Sequence, residues 1–130
     1  MKMILASLVI LAAPFAFAKS ACPAGTVRDL TCTPKTQAGE DAIVGQALPK
    51  VVICSGESSV ILVLTSKSGQ SEAKEATVSP RVGGTTYTVS EGNVLVTVVR
   101  GVGPYSNMPR ISIERTDASG PAPVSTYLCK

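Results

Sequence analysis

From residue 50 onward, short runs of β-branched and aliphatic residues alternate with turn residues such as Gly, Ser, Asn and Pro. This pattern is typical of β-strands joined by tight turns. The run at Ser59–Thr65 is apolar on both faces, which predicts a central strand, whereas Ile111 and Ile113 alternate with polar residues, which predicts a half-buried strand. The predicted strands span residues 50–54, 59–65, 73–78, 85–90, 94–100, 110–116 and 124–129.

About seven strands with short connections predict an all-β fold, either a small antiparallel β-sandwich or a β-barrel with consecutive strands as neighbours. We assign residues 50–130 to this antiparallel β domain. Residues 19–49 contain three prolines and few apolar positions, so they are expected to form an extended N-terminal arm with a disulfide loop. Within the arm, Thr26–Thr31 is a candidate strand and Glu40–Gln46 is a candidate helix.

The N-terminus has a positive charge at Lys2, an apolar run over residues 4–17 and a small-x-small motif at Ala16–Ala18. These are the three parts of a secretory signal peptide, so residues 1–18 are expected to be removed. The apolar run is too short to span a bilayer, which takes roughly 20 residues, and no transmembrane segment is expected after cleavage. The sequence therefore predicts a periplasmic or secreted protein.

The chain has four cysteines, all of them after the predicted signal peptide. An even number of cysteines in an exported domain predicts two disulfides, for which three pairings are possible. We favour Cys22–Cys32, which closes a local loop, together with Cys54–Cys129, which joins the first strand of the β domain to the last. Lipid anchoring through Cys22 is the alternative, but Lys19 disfavours it because lipoprotein signals carry an apolar residue at that position.

The chain contains no histidine, so it lacks the commonest general base and metal ligand, and a Ser-His-Asp or Cys-His nucleophile is excluded. No two cysteines have the spacing of about two to four residues that zinc sites use. The Ser-x-x-Lys match at Ser71–Lys74 and the Gly-x-Gly match at Gly101–Gly103 lack the further motifs or the helix that their chemistry needs. We therefore expect a non-enzymatic protein with no metal and no cofactor.

The loop at residues 101–109 is the main candidate for a binding site. It exceeds the about two to five residues typical of hairpin loops, and it holds an aromatic residue and a methionine in a chain with few of either. Loops on a rigid β scaffold often carry recognition, and Tyr beside Arg is a typical interface composition. The alternative is that Tyr105 and Met108 fold back and plug the open end of the domain. The candidate binding residues are Arg100, Tyr105, Asn107, Met108 and Arg110.

The cysteine that ends the first strand of the β domain, at Ile53–Cys54, and Cys129 near the C-terminus resemble the layout of periplasmic inhibitors of c-type lysozyme. Residues 83–87 lack the serines of that family's signature, so no inhibitory residue is assigned. The formal net charge of +3 comes without clustered Lys and Arg, which argues against nucleic acid as a partner. The leading hypothesis is a binding protein that contacts a protein or a cell-envelope component. The alternatives are an inhibitor of a hydrolase such as lysozyme and a structural subunit that associates through strand edges.

Overall fold

A computed structural model of the protein describes residues 22–36, 38–39, 42–117 and 119–130. The predicted signal peptide at residues 1–18 lies outside this part of the chain, and so does the beginning of the candidate helix at Glu40. Within the described residues, no helix is long and apolar enough to cross a membrane.

Eight antiparallel strands form a closed barrel in which consecutive strands are neighbours and the last strand pairs with the first. The strands are β1 (Thr26–Pro34), β2 (Lys50–Gly56), β3 (Val60–Thr65), β4 (Ser71–Arg81), β5 (Gly84–Glu91), β6 (Val94–Gly101), β7 (Arg110–Arg115) and β8 (Val124–Cys129). The all-β antiparallel prediction is therefore confirmed, and the open choice between barrel and sandwich is decided for the barrel. Each of the seven predicted strands is present, and the largest difference is at β4, which continues past Val78 to Arg81.

The interior of the barrel is filled by every second residue of the strands, as expected for extended backbone. The core is mostly aliphatic, with two tyrosines among its members, because the chain has no tryptophan. Its buried members on the strands are Cys32, Val51, Ile53, Leu62, Ala76, Tyr87, Val89, Val96, Val98, Ile111, Tyr127 and Cys129. The side chains of all strands therefore meet in one core, which holds the barrel closed.

The N-terminal arm predicted for residues 19–49 is partly wrong, because β1 is a full member of the barrel wall. β1 pairs with β2 over most of its length, and its second half pairs with β8 through Cys32, Thr33 and Pro34. The barrel domain therefore begins at Thr26 and not at residue 50. The low apolar content of β1 concealed it, since its first half packs little against the core: Val27 is 69% exposed.

The predicted disulfide pairing is also wrong, although all four cysteines are paired as expected. The bonds join Cys22 to Cys54 and Cys32 to Cys129. Cys32 and Cys129 are direct partners in the ladder between β1 and β8, and both lie in the barrel core.

Strand alternation gives the reason why Cys54 cannot reach Cys129. On β2, Val51 and Ile53 belong to the core inside the barrel, so Cys54 faces the outer surface. There it packs in a second cluster with Val52 and Val63, and Cys22 covers that cluster. Because β1 lies between β2 and β8, the predicted bond would have to pass through the barrel wall.

The connection from β1 to β2 contains a short helix, α1 (Ile43–Ala47), close to the predicted position. This helix packs against the barrel. Its residue Val44 is fully buried in the core. The helix approaches β1 so closely that a Cβ on Gly45 would come within 2.5 Å of the Cβ of Pro34. Tyr127 on β8 fixes the helix, since its hydroxyl donates a hydrogen bond to the carbonyl of Leu48 at 2.6 Å.

Candidate functional site

The end of the barrel that carries the 101–109 loop is called the loop end here, and the opposite end, beside α1, is called the helix end. At the loop end, strand register aligns Arg81, Gly84 and Gly101 in one row across β4, β5 and β6. Val82 and Val102 each follow this row by one residue. The turn between β4 and β5 and the 101–109 loop are therefore neighbours.

Large apolar side chains are exposed at the loop end. Val82 in the β4–β5 turn is 100% exposed, Tyr105 is 66% exposed and Val102 is 60% exposed. Val27, at the start of β1, is 69% exposed. We call these four residues the apolar rim. Tyr105 therefore leaves most of its side chain to solvent.

A polar cluster around Arg100 lies at this end of the barrel. Arg100 follows Val96 and Val98 on the interior side of β6, and its guanidinium contacts the carboxylate of Asp29 on β1 at 2.9 Å. Its Nε donates a hydrogen bond to the carbonyl of Ser106 at 2.8 Å. Arg100 thus ties β1, β6 and the 101–109 loop together.

A β-bulge places Asp29 where Arg100 can reach it. The register between β1 and β2 shifts between Arg28 and Leu30, so Asp29 is the extra residue without a direct partner on β2. Such bulges bend a strand and redirect a side chain. The hydroxyl of Ser55 lies 3.4 Å from the same carboxylate.

Neighbouring side chains stabilise the charged form of the Arg100 guanidinium. Partial burial disfavours the charged guanidinium, but hydrogen bonds from Arg100 to Tyr87 and Asp29 outweigh that cost and raise the pKa of Arg100. The ion pair is partly shielded from water, since the side chains of Arg100 and Asp29 are 20% and 34% exposed. Arg100 therefore supports the loop, and its guanidinium is largely occupied inside the protein.

The second half of the 101–109 loop is held by β8. The backbone N–H of Tyr127 donates to the carbonyl of Pro109 at 2.8 Å, and that of Cys129 donates to the carbonyl of Asn107 at 2.9 Å. Pro109 is buried, Met108 is half-buried and Asn107 is exposed. Of the predicted binding residues in the loop, Tyr105 and Asn107 are therefore the ones that present their side chains to solvent.

The two arginines that flank the loop in sequence are separated in the structure. Arg110 pairs with Val99, the neighbour of Arg100, so it faces the outer surface of the barrel while Arg100 faces the interior side. Arg110 is exposed and lines a shallow polar pocket with Lys35 and Thr126. It is therefore not part of the apolar rim.

Sequence reasoning missed Asp29, Val27 and Val82. Asp29 within a candidate strand that also contains Val27 and Leu30 was one available signal, because polar residues that face inward often mark a bulge or a partner. Val82 stands beside Gly83–Gly84, a sequence typical of a hairpin turn, and an apolar residue at a turn is exposed by default. Neither signal indicates that the residues share one end of the barrel.

The described residues contain no group of three His, Cys, Asp or Glu side chains that could hold a metal ion. The loop end therefore combines exposed apolar side chains with a polar cluster in which Arg100 joins β1, β6 and the 101–109 loop. Comparison of the chain with known protein families, with curated proteins and with solved structures finds no match in any of the three.

Proposed function

We propose that the protein is an exported, non-enzymatic binding protein that holds a partner protein at its loop end. The main observation in support is the exposure of the apolar rim: Val27, Val82, Val102 and Tyr105 are each at least 60% exposed at one end of the barrel. Val82 and Val102 lie on neighbouring connections, and Val27 shares this end of the barrel on β1. Exposed apolar side chains that share one surface typically mark contact sites. Export is supported by the two disulfides, because such bonds persist in oxidising compartments such as the periplasm or the cell exterior.

Charge at the loop end points to an acidic partner. Arg28 and Arg81 are exposed next to the apolar rim, and neither forms an ion pair with another described residue. The carboxylate of Asp29 is already paired with Arg100. Glu57 in the β2–β3 turn is exposed at the same end, so two unpaired arginines stand against one unpaired carboxylate among the described residues there. The proposed partner therefore presents an apolar depression for Val82 and Tyr105, surrounded by carboxylates. Complementary charges of this kind chiefly raise the association rate and select the partner.

Photo-crosslinking from the loop end tests the proposal. A benzophenone amino acid replaces Tyr105 in the exported protein, and the expected adduct is with one protein of the compartment into which the chain is secreted. The purified partner is then titrated against Val82→Asp, which should weaken binding at least about tenfold because it places a charge in a desolvated contact. Val124→Asp, at a partly exposed apolar position outside the loop end, is the matched control and should bind as the unchanged protein does.

Three outcomes would count against this function. Equal affinity of Val82→Asp, Tyr105→Ala and the unchanged protein would remove the loop end as the contact surface. Insensitivity of binding to salt would contradict the acidic partner, since charge pairs at an interface rim weaken as ionic strength rises. Concentration-dependent oligomers in light scattering, abolished by Val82→Asp, would make the partner a second copy of the chain. A captured hydrolase that loses activity on binding would support the proposal and identify the protein as an inhibitor.

A further inference from the structure

The barrel wall is split between β4 and β5 at the helix end. β4 pairs with β3 through residues 71–76 and with β5 only through residues 77–81. On β5, the ladder to β4 begins at Gly84 and ends at Thr88, so Val89–Glu91 pair with β6 alone. Among the described residues, β4 therefore has no backbone pairing with β5 over residues 71–76. We call this unpaired stretch between β4 and β5 the seam.

Within the part of the chain that the structure describes, one ion pair bridges the seam. The ammonium of Lys74 on β4 lies 2.9 Å from the carboxylate of Glu91 on β5. The hydrogen bond to Glu91, together with the charge of Glu91, raises the pKa of Lys74. Both side chains keep contact with solvent, with 34% and 54% exposed, so the bridge leaves the seam open to water.

A cavity of about 580 Å³ opens at this seam. Its apolar wall is formed by Leu48, Leu64, Val94, Val96 and Ile113. Of these, Val96 and Leu48 belong to the buried core, so the cavity reaches down to the barrel interior. Cavities of this size with a mostly apolar lining are typical small-molecule sites and are common in the mouths of β-barrels.

The entrance of the cavity is acidic. Among the described residues that line it, the charged ones are Glu72 on β4 and Glu91 on β5. Glu91 is paired with Lys74, whereas Glu72 forms no ion pair with another described residue. Lys67, in the nearby β3–β4 turn, does not line the cavity. The ammonium of Lys74 also interacts with the charge of Glu72. Two carboxylates against one ammonium still leave an excess of negative charge at the entrance, which favours a ligand with a positive charge over one with a carboxylate.

We propose that this cavity binds a small amphipathic cation of the alkyl amine class. The alkyl chain packs against Val96, Leu64 and Ile113. The ammonium lies at the entrance of the cavity, where Glu72 accepts its hydrogen bonds. Backbone N–H and C=O groups of β4 that lack a β5 partner along the seam supply further polar contacts. The site is at the opposite end of the barrel from the apolar rim, so it does not depend on the proposed partner protein.

Calorimetric titration of the disulfide-bonded protein with three ten-carbon probes tests this site. The probes are decylamine, decanol and decanoate. The two ionic probes are kept below the concentration at which they form micelles, and decanol is kept below its solubility limit. Decylamine should bind with one-to-one stoichiometry and about fivefold more tightly than decanol, the upper range for a solvent-exposed charge pair. Decanoate should bind more weakly than decanol. Absence of saturable decylamine binding, or equal affinity for all three probes, would overturn the proposal.

Two substitutions locate the ligand. Glu72→Gln should remove the advantage of decylamine over decanol and leave decanol binding unchanged. Glu75→Gln is the matched control, because Glu75 lies on the same strand with the opposite parity and does not line the cavity. An equal effect of both substitutions, or of neither, would overturn the placement of the ammonium at Glu72.

Val96→Phe reports on the apolar wall. The added ring occupies the volume that the alkyl chain needs, so all three probes should lose at least about tenfold in affinity. Circular dichroism and the absence of free thiols establish that this variant is folded; if it does not fold, the comparison of Glu72→Gln with Glu75→Gln decides. A folded Val96→Phe protein that binds decylamine normally would place the ligand elsewhere and refute the site.

Discussion

Tyr127 shows how one side chain connects the barrel to its helix. The ring is fully buried in the core, and the hydroxyl bonds the carbonyl of Leu48 at the C-terminal end of α1 while lying 3.3 Å from the carbonyl of Val44. Burial raises the pKa of Tyr127 above its ordinary value because the phenolate would lose its hydration. The neutral hydroxyl is therefore the form that the folded protein requires.

This requirement predicts a loss of stability at alkaline pH. In the unfolded chain Tyr127 ionises near its ordinary pKa of about 10, whereas in the folded protein it remains protonated. The unfolded state therefore binds fewer protons above pH ~10, and the free energy of unfolding falls as pH rises from there. Below pH ~10 the contribution of Tyr127 is fully present.

Tyr127→Phe separates this effect from other alkaline titrations. At neutral pH it should lower the free energy of unfolding by about 1–2 kcal/mol, because the Leu48 carbonyl loses its donor. Above pH ~10 the difference from the unchanged protein should shrink, as measured by urea denaturation at a series of pH values. Tyr105→Phe, at an exposed tyrosine, is the control and should change neither quantity. A constant difference between Tyr127→Phe and the unchanged protein at all pH values would refute the assignment.

At the scale of elements, the pairing of β5 with β6 depends on a close approach at the loop end. Gly84 stands opposite Gly101, and a Cβ on Gly84 would collide with the carbonyl oxygen of Arg100. Glycine within a strand often marks such an approach of two backbones. The position of Arg100, and through it the contact with Asp29, therefore depends on the absence of a side chain at residue 84.

Gly84→Ala should consequently lower the free energy of unfolding by about 1–3 kcal/mol, since the backbones of β5 and β6 must separate to admit the methyl group. Urea denaturation measures this change. Ser90→Ala, at an exposed position on the same strand, is the control and should stay within about 0.5 kcal/mol of the unchanged protein. Equal stability of Gly84→Ala and Ser90→Ala would show that β5 can move away from Arg100 freely.

The strands themselves were largely predictable, because their residues alternate or are continuously β-branched and their turns contain glycine. β1 was the exception, with only Thr26–Thr31 indicated as a candidate strand. Its pattern is interrupted by the bulge at Asp29, which breaks the alternation of apolar and polar residues. Prediction of a strand from its local sequence pattern therefore fails where the strand is irregular. It also fails where pairing with neighbouring strands, and not the strand's own composition, keeps it in the sheet.

At the scale of the whole molecule, the two disulfides close loops of different size. Cys22 and Cys54 are 32 residues apart, and Cys32 and Cys129 are 97 residues apart. On the chain-entropy account, the longer loop restricts the unfolded chain more. The Cys32–Cys129 bond also joins β1 to β8, where the barrel closes.

Removing each bond by a double Cys→Ala substitution should therefore destabilise the protein unequally. The expected losses are about 3.7 kcal/mol for the Cys22–Cys54 pair and about 4.7 kcal/mol for the Cys32–Cys129 pair. Thermal or urea denaturation measures both. Peptide mapping of the exported protein is the accompanying check on the pairing, and its intact mass reports cleavage after Ala18. Detection of a Cys22–Cys32 peptide, a free thiol or a lipid on Cys22 would contradict this arrangement.

By itself, the sequence determined the class of fold, most of the strands, the presence of two disulfides and the absence of histidine chemistry. These properties depend on local pattern or on composition. Alternation of apolar and polar residues sets which side of a strand is buried, and a chain without histidine cannot use a histidine as a base or a metal ligand. It also indicated the 101–109 loop, which the structure places beside the β4–β5 turn.

Only the tertiary structure decided how distant segments meet. Closure of the barrel by β1 placed Cys32 opposite Cys129 and turned Cys54 outward to Cys22. Strand register placed Arg100 and Arg110 on opposite faces of the barrel wall and brought Asp29 to Arg100. It also left the seam between β4 and β5 from which the cavity opens. These outcomes depend on register between strands far apart in the chain, and a shift of one residue would reverse every face.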